Sequence, residues 1–157
     1  MHIDGHHASA AVASVSLITL TAYYGSKWTR ENSDTPWYQC IRPSFAPPSI
    51  VFPIVWSLLY LGLFVALFNA FVAVNVPVSG LFLLNLISNV MWCYLFFGKK
   101  SPSQALYPMA VLLITSIGIL SLSSDLWILV PVVLYTAWLS FAGVLNLSAS
   151  MKEKECQ

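Results

Sequence analysis

Hydrophobic residues fill long stretches of this chain that charged residues do not interrupt. No Asp, Glu, Lys or Arg lies between Arg42 and Lys99, and only Asp125 lies between Lys100 and Lys152. A helix needs about 20 predominantly apolar residues to cross the hydrocarbon core of a bilayer. The pattern therefore predicts an all-α membrane protein, a bundle of five transmembrane helices forming one domain over residues 1–157. The predicted spans are residues 8–25, 49–74, 79–97, 105–123 and 126–149.

Composition and the placement of charge support this class. Of the 157 residues, 58% are hydrophobic and 8% are charged, whereas soluble domains average about 25% charged residues. A net charge of +1 argues against a nucleic-acid partner, which needs a basic face. Five spans bring every Lys and Arg to one side of the membrane, so the positive-inside rule predicts an external N-terminus and a cytoplasmic C-terminus, in a bacterial membrane or a mitochondrial outer membrane. These residues are Lys27, Arg30, Arg42, Lys99, Lys100, Lys152 and Lys154.

Few residues of the chain could act as an acid, a base or a metal ligand. Apart from Asp125 at a loop, the spans lack the ionisable side chains that mark proton and ion pathways, which argues against a pump or a channel. The histidines and Asp4 form either a weak transition-metal site or a flexible, solvated terminus. The cysteines form no C-x-x-C pair and predict neither a disulfide framework nor a zinc site. The residues in question are His2, His6, His7, Cys40, Cys93 and Cys156.

The connection between the first two spans, residues 26–48, is long and rich in aromatic residues. Loops longer than about 12–15 residues are usually functional or disordered, and Trp28, Trp37 and Tyr38 make disorder a poor explanation. Two interpretations stay open. The aromatic residues anchor the loop at the membrane interface, or the loop is a lid over the mouth of a cavity. Pro47 and Pro48 fit the entry of the next helix. The lid residues would be Trp37, Arg42, Pro43, Phe45, Pro47 and Pro48.

Three predicted spans carry aromatic and amide residues at helical spacing, so each set lies on one helix face. Asparagines on such a face must point into the bundle, because a buried amide without a partner costs about 1–3 kcal/mol. The faces describe either a wide apolar pocket for a large planar ligand or ordinary helix packing with hydrogen bonds between helices. The three sets are Phe52, Trp56 and Tyr60; Asn85, Asn89, Trp92 and Phe96; and Tyr135, Trp138, Ala142 and Asn146.

Several of these segments resemble the translocator protein / tryptophan-rich sensory protein family, once called peripheral-type benzodiazepine receptors. They follow one another from residue 37 to residue 146 in the order the family has them. The matching segments are W-Y at 37–38, R-P-S-F-A-P-P at 42–48, P-I-V-W-S-L-L-Y at 53–60, N-V-M-W at 89–92, F-F-G at 96–98 and L-Y-T-A-W-L-S-F-A-G-V-L-N at 134–146.

The resemblance implies five transmembrane helices, commonly a homodimer, and a pocket that opens toward the cytosol under the loop after the first helix. It implies a membrane binding protein or carrier for porphyrins such as protoporphyrin IX and haem, with lipid around it and no required cofactor or metal. Synthetic isoquinolines and benzodiazepines are further ligands of the family, and animal members bind cholesterol. With Tyr135 added from the helical spacing, the predicted ligand-binding residues are Tyr38, Trp56, Asn89, Trp92, Tyr135, Trp138 and Ala142.

Two alternatives follow from the same resemblance. Some bacterial members promote light-dependent breakdown of protoporphyrin, for which Trp56 and Trp138 occupy the matching positions. A cholesterol or lipid transport scaffold is the other, although the segment L-N-L-S-A-S-M-K at 145–152 lacks the Tyr of the sterol motif. The chain also departs from the family at Arg42 and Phe45, where Lys and Trp are usual. Residues 92–94 lack the proline often found there, and Leu134 replaces a Pro.

Overall fold

The computed structural model describes residues 5–156, which contain helices and no strand. Five of the helices are long and apolar enough to cross a membrane, which confirms the predicted all-α class and the number of spans. Helix bounds follow in chain order, with a π-helical turn at Tyr94–Gly98 and a final 3-10 turn at Glu153–Glu155. They are α1 Gly5–Asn32, α2 Pro36–Ile41, α3 Val51–Val72, α4 Val76–Cys93, α5 Pro102–Leu122 and α6 Leu126–Lys152.

The five long helices form a closed ring. α1 packs on α3 and α4, α3 packs on α6, α6 packs on α5, and α5 packs on α4. Aliphatic side chains such as Leu67, Leu112 and Leu139 are fully buried inside the ring. Leu58 and Ile87 point outward and are 65% and 64% exposed, as expected where lipid tails replace water.

α1 continues to Asn32, well beyond the end predicted at residue 25. The last two turns are polar and therefore fall outside a hydropathy window, but their side chains bond back onto the helix. Thr29 Oγ1 donates to the Gly25 carbonyl at 3.1 Å, and the Asn32 amide donates to the Trp28 carbonyl at 3.1 Å. The connection predicted at 26–48 is consequently shorter, and it contains the helix α2. We call residues 33–50 the lid.

The two prolines at the end of the lid lie just ahead of α3, at the entry of the helix. α3 begins at Val51, whose N–H donates to the Pro48 carbonyl at 2.9 Å. Pro53 is the third residue of the helix and lies in its first turn. A proline there removes no intrahelical hydrogen bond, so Pro53 does not require a kink in α3.

A π-helical turn ends the third span. The Lys99 N–H donates to the Tyr94 carbonyl at 2.8 Å, across five residues. Such turns frequently occur at functional sites. Gly98 is needed here because a Cβ at this position would lie 2.9 Å from Cδ1 of Trp28. The turn directs Phe96 and Phe97 into a buried cluster beneath the lid.

Cys40 and Cys156 form a disulfide bond with a Cα–Cα distance of 5.8 Å. The prediction that the cysteines form no disulfide was therefore wrong. Their separation of 116 residues gives no local spacing from which a pair could be read. The two residues meet because α2 folds back over the end of α6. Cys93 is buried and not disulfide-bonded.

Candidate functional site

A cavity of about 540 Å³ lies inside the bundle at the end that the lid covers. Flat aromatic rings form much of its wall. Phe52 meets Trp138 edge-on with ring centroids 5.9 Å apart, and Trp56 lies 5.6 Å from Tyr60. Small side chains beside the rings, among them Ala142, keep the space open. The lining includes Phe52, Trp56, Tyr60, Trp92, Trp138 and Ala142.

A chain of hydrogen bonds starts at the inner end of the cavity and continues behind its wall. The Tyr60 hydroxyl donates to Asn89 Oδ1 at 2.9 Å, and the Tyr135 hydroxyl donates to Asn85 Oδ1 at 2.8 Å. Asn89 Nδ2 donates to the Tyr135 hydroxyl at 3.4 Å, and Asn85 Nδ2 donates to Thr115 Oγ1 at 2.7 Å. Both asparagines are 1% exposed, which confirms that they face the bundle interior.

The predicted ligand-binding residues do not all reach the cavity surface. Six of the seven line the cavity, whereas Tyr135 does not; the six are Tyr38, Trp56, Asn89, Trp92, Trp138 and Ala142. The Tyr135 ring stands behind Trp56, edge-on at 6.4 Å. Asn85 likewise lies behind the wall, where it bonds the Leu112 carbonyl at 3.1 Å. Tyr135 and Asn85 therefore position the wall and do not contact the open space.

Trp92 is held in the wall by hydrogen bonds that join three helices. Its indole Nε1 donates to Asn146 Oδ1 at 2.8 Å, and Asn146 Nδ2 donates to the Pro102 carbonyl at 2.8 Å. The amide therefore joins α4, α5 and α6 at the level of the cavity. Because its N–H is already engaged, Trp92 can offer a ligand only the face or edge of its ring.

Trp138 differs from Trp92 in the hydrogen bonding of its indole N–H. Its Nε1 is buried and has no hydrogen-bond partner within residues 5–156. Leaving a buried donor unpaired costs about 1–3 kcal/mol. Trp138 lines the cavity beside Ala142 with its ring, whereas the unpaired N–H is itself buried.

The lid closes one end of the cavity. Thr35 caps α2 by accepting a hydrogen bond from the Tyr38 N–H at 3.4 Å. The Tyr38 ring packs on Phe97 at 5.6 Å, and Ile41 is completely buried. Burial raises the pKa of the Tyr38 phenol, opposed only in part by the Arg42 charge. Tyr38 is consequently a neutral hydrogen-bonding group at physiological pH.

The residues predicted for the lid divide into two groups. Arg42 and Pro43 line the cavity beside Tyr38, and the Arg42 guanidinium donates to the Pro47 carbonyl, which closes the turn that follows α2. Trp37 packs on Phe96 at 6.2 Å, and Phe45 is 54% exposed. Part of residues 33–50 therefore lines the cavity, but four of the predicted lid residues do not. These are Trp37, Phe45, Pro47 and Pro48.

One wall of the cavity was not predicted. The polar end of α1 supplies it, because that segment was assigned to a loop in the sequence analysis. Gly25 allows α1 to approach α4 closely, since a Cβ there would lie 3.3 Å from Cys93 Sγ. Small residues four positions apart, Gly25 and Thr29, were the signal that could have indicated this contact. The α1 and lid residues involved are Ala22, Gly25, Ser26, Thr29, Arg30, Ser33 and Asp34.

His6 and His7 lie at the end of the bundle opposite the lid, and the two interpretations of the terminal histidines stay predictions. His6 Nε2 lies 3.3 Å from the Val72 carbonyl, and its ring contacts that of His7. Residues 5–156 contain no group of three or more metal-ligating side chains. His2 and Asp4 lie outside the described residues.

Comparison with known proteins places this architecture among its relatives. A family model described as TspO/MBR family matches residues 11–151. The chain is 31% identical over 146 residues to the Tryptophan-rich protein TspO of Archaeoglobus fulgidus, covering 87% of this chain and 92% of that protein. It is 30% identical over 145 residues to the Tryptophan-rich protein TspO of Chlorobaculum tepidum, covering 85% and 89%. A Translocator protein homolog of Schizosaccharomyces pombe is 34% identical over 119 residues, covering 68% and 70%.

Proposed function

We propose a ligand for this chain, which belongs to the TspO/MBR family and is a multi-pass membrane protein. The cavity beneath the lid binds a porphyrin such as protoporphyrin IX or haem, and the protein acts as a membrane binding protein or carrier for it. The observation that carries the proposal is the wall of flat rings around a partly open cavity of about 540 Å³. Offset and edge-on contacts with such rings favour a large planar apolar ligand.

The charges near the lid supply the second part of the argument. Arg30 at the end of α1 and Arg42 in the lid both line the cavity, together with one acidic residue, Asp34. Guanidinium groups pair with carboxylates in bidentate geometry. A ligand with an apolar ring body and carboxylates at one edge would place its ring among the tryptophans and its carboxylates beside these arginines.

The test is a titration of protoporphyrin IX into the purified full-length protein, followed by quenching of tryptophan fluorescence. Saturable binding is expected. Ala142→Leu fills the space beside Trp138, and we expect it to weaken affinity by about tenfold or more, because an overpacked wall relaxes poorly. Trp138→Phe reduces the flat ring surface in the wall, and we expect a loss of about fivefold, because the contact between this ring and the ligand becomes smaller.

Each variant has a matched control on the lipid-facing side of α6. Ala137→Leu adds the same volume at an exposed position, and Trp127→Phe removes an indole that is 68% exposed. Both controls should bind like the wild type. Unchanged affinity in Ala142→Leu and Trp138→Phe together would exclude this cavity as the porphyrin site.

Light-dependent degradation of a bound porphyrin is a second candidate, favoured by the chain of rings at Trp56. Its ring lies 5.6 Å from that of Tyr60 and 6.4 Å from that of Tyr135, so the three rings form one aromatic cluster at the cavity wall. Loss of porphyrin absorbance under light and dioxygen should then be slower in Trp56→Phe than in the wild type. Equal bleaching rates would favour the carrier. The cholesterol or lipid scaffold stays a prediction without a contact to support it.

Orientation and assembly belong to the same proposal. The lid, the π-helical turn and the end of α6 lie together at one end of the bundle, as shown by Lys100 Nζ 5.9 Å from the Trp37 ring centroid. By the positive-inside rule this end faces the cytoplasm. A homodimer is the assembly that we expect. Labelling of cysteines introduced at Gln104 and at Ser124 from each side of sealed vesicles would test the orientation.

A further inference from the structure

We propose that Cys40 and Cys156 form a redox-controlled tether that holds the lid closed over the cavity. The tether joins the lid helix α2 to the end of the chain behind α6. Its consequence for ligand exchange rests on the proposed function, because the molecule retained beneath the lid would be the ligand of the cavity. The tether itself does not depend on what that ligand is.

The bond joins a weakly held segment to a firmly held one. The lid is attached to the bundle through a few side chains, chiefly Trp37 on Phe96, Tyr38 on Phe97 and the buried Ile41. The rest of residues 33–50 contains turns and irregular backbone. Segments with few buried contacts open locally at low free-energy cost.

The partner of the lid is fixed to the bundle. Glu153, three residues before Cys156, accepts hydrogen bonds from Ser101 Oγ and from the Ser103 N–H, both at 2.8 Å, at the start of α5. Cys156 itself packs against the buried cluster that includes Ile41. The tether therefore restrains the motion of the lid against a rigid point. Breaking it leaves the lid held by its packing contacts, chiefly those of Trp37, Tyr38 and Ile41.

Accessibility allows the bond to be made and broken by thiol–disulfide exchange. Cys40 lies on the exposed face of α2. A small-molecule thiolate of the glutathione class attacks one sulfur, the protein S–S bond breaks, and a mixed disulfide forms. A second such thiol then releases the mixed disulfide, which leaves two protein thiols and one small-molecule disulfide, a transfer of two electrons. The reverse exchange closes the tether.

The side of the membrane on which the tether lies determines whether the disulfide is usually reduced or oxidised. In the proposed orientation the tether faces the cytoplasm, where thiol pools keep most cysteines reduced. The lid would then be released under ordinary conditions and locked when the thiol pool becomes oxidised. Cys93 does not compete for either partner, because it is buried in the cavity wall on α4.

The experiment compares the oxidised protein with protein reduced by tris(2-carboxyethyl)phosphine. Hydrogen–deuterium exchange of residues 33–50 without ligand reports the lid, and the dissociation rate of protoporphyrin IX reports access to the cavity. Reduction should raise the hydrogen-exchange rate of the lid and the dissociation rate of protoporphyrin IX by about tenfold each, as expected for loss of a cross-link on a weakly packed segment. In Cys40→Ser and in Cys156→Ser, lid exchange and ligand dissociation should be fast with and without the reductant. Gln39→Ser, an exposed lid position that leaves both cysteines, should respond like the wild type.

Two results would overturn the tether. One is lid exchange in the wild type that is unchanged by reduction. The other is a response to the reductant that persists in Cys40→Ser. Failure of the protein to bind protoporphyrin IX would contradict the proposed function. The tether would then be tested by hydrogen exchange of the lid only.

Discussion

The two halves of the bundle are built from the same long helices, yet one is tightly packed and the other encloses a cavity. In the packed half, aliphatic side chains such as Leu63, Leu67 and Leu112 pack against one another and are at most 1% exposed. In the half beneath the lid, flat rings stand beside small residues, as Trp138 does beside Ala142. Aliphatic side chains interdigitate at crystal-like density, whereas a rigid ring next to a small neighbour leaves space.

The two halves also differ in where their hydrogen-bonded polar side chains lie. The hydrogen-bonded group of Asn85, Asn89 and Tyr135 lies at the boundary, and Trp92 with Asn146 lies within the lid half. In a bilayer the hydrophobic effect contributes little between helices, so packing and hydrogen bonds determine their association. One half therefore provides stability through packing, and the other holds its rings in place through hydrogen bonds. The predictions below test that division.

The largest effect is expected in the packed half. Leu112→Ala removes a completely buried side chain and should reduce the free energy of unfolding by about 2–4 kcal/mol, because the cavity left behind collapses only in part. Affinity for protoporphyrin IX should change less than about twofold, since Leu112 lies outside the cavity lining. Unfolding in mixed detergent–SDS micelles measures the first quantity and fluorescence quenching the second.

Leu58→Ala is the matched control for that variant, because Leu58 is 65% exposed toward lipid. Its unfolding free energy should stay within about 0.5 kcal/mol of the wild type. A large loss of affinity in Leu112→Ala would contradict the division into two halves.

Gly98→Ala should have the next largest effect, and it falls in the lid half. The added Cβ would lie 2.9 Å from Trp28 and 3.1 Å from Tyr94, so a ring must move and the π-helical turn must shift. Overpacking of this kind costs about 1–3 kcal/mol, and affinity should fall because Phe96 and Phe97 line the cavity. Gly80→Ala meets nothing within 4 Å and should be neutral or slightly stabilising in the helix. Equal unfolding midpoints for the two variants would contradict the assigned role of Gly98.

Tyr135→Phe tests the boundary between the halves. It removes the hydroxyl that donates to Asn85 and accepts from Asn89. Hydrogen bonds between membrane helices contribute about 1 kcal/mol, so unfolding should become easier by about that amount. Affinity should fall less than about threefold, because the ring that supports Trp56 is retained. Tyr107→Phe, at a position 77% exposed, is the control and should match the wild type in both measurements.

The sequence was informative where a single physical requirement acts on consecutive residues. Spans of apolar residues predicted the five helices, because each must satisfy its backbone inside lipid. Asn85 and Asn89 were predicted to point inward for the same reason, since an amide has no partner among lipid tails. The grouping of Trp56 and Trp138 with these residues followed from helical spacing on separate spans.

Other features depend on contacts that spacing along the chain does not record. The end of α1 is polar, so hydropathy assigned it to a loop, although Thr29 and Asn32 continue the helix. The Cys40–Cys156 bond joins residues that meet only after the lid has folded over α6. Tyr135 shares a helix face with Trp138, yet it is buried behind Trp56 because α3 crosses in front of it. The disulfide bond and the position of Tyr135 are properties of packing between elements.

The smallest effect is expected at the fixed end of the tether and depends on the redox state. Glu153→Gln replaces one of the two carboxylate acceptors that hold the tail to Ser101 and Ser103, at a cost of about 1 kcal/mol. In the oxidised protein the lid is bonded to that tail, so hydrogen exchange of residues 33–50 should rise by about two- to fivefold. In the reduced protein the lid is already released, so the same substitution should leave lid exchange unchanged. Glu155→Gln, at an exposed position, should have no effect in either state. An equal rise in both states for Glu153→Gln would mean that the tail supports the lid by packing, without the bond.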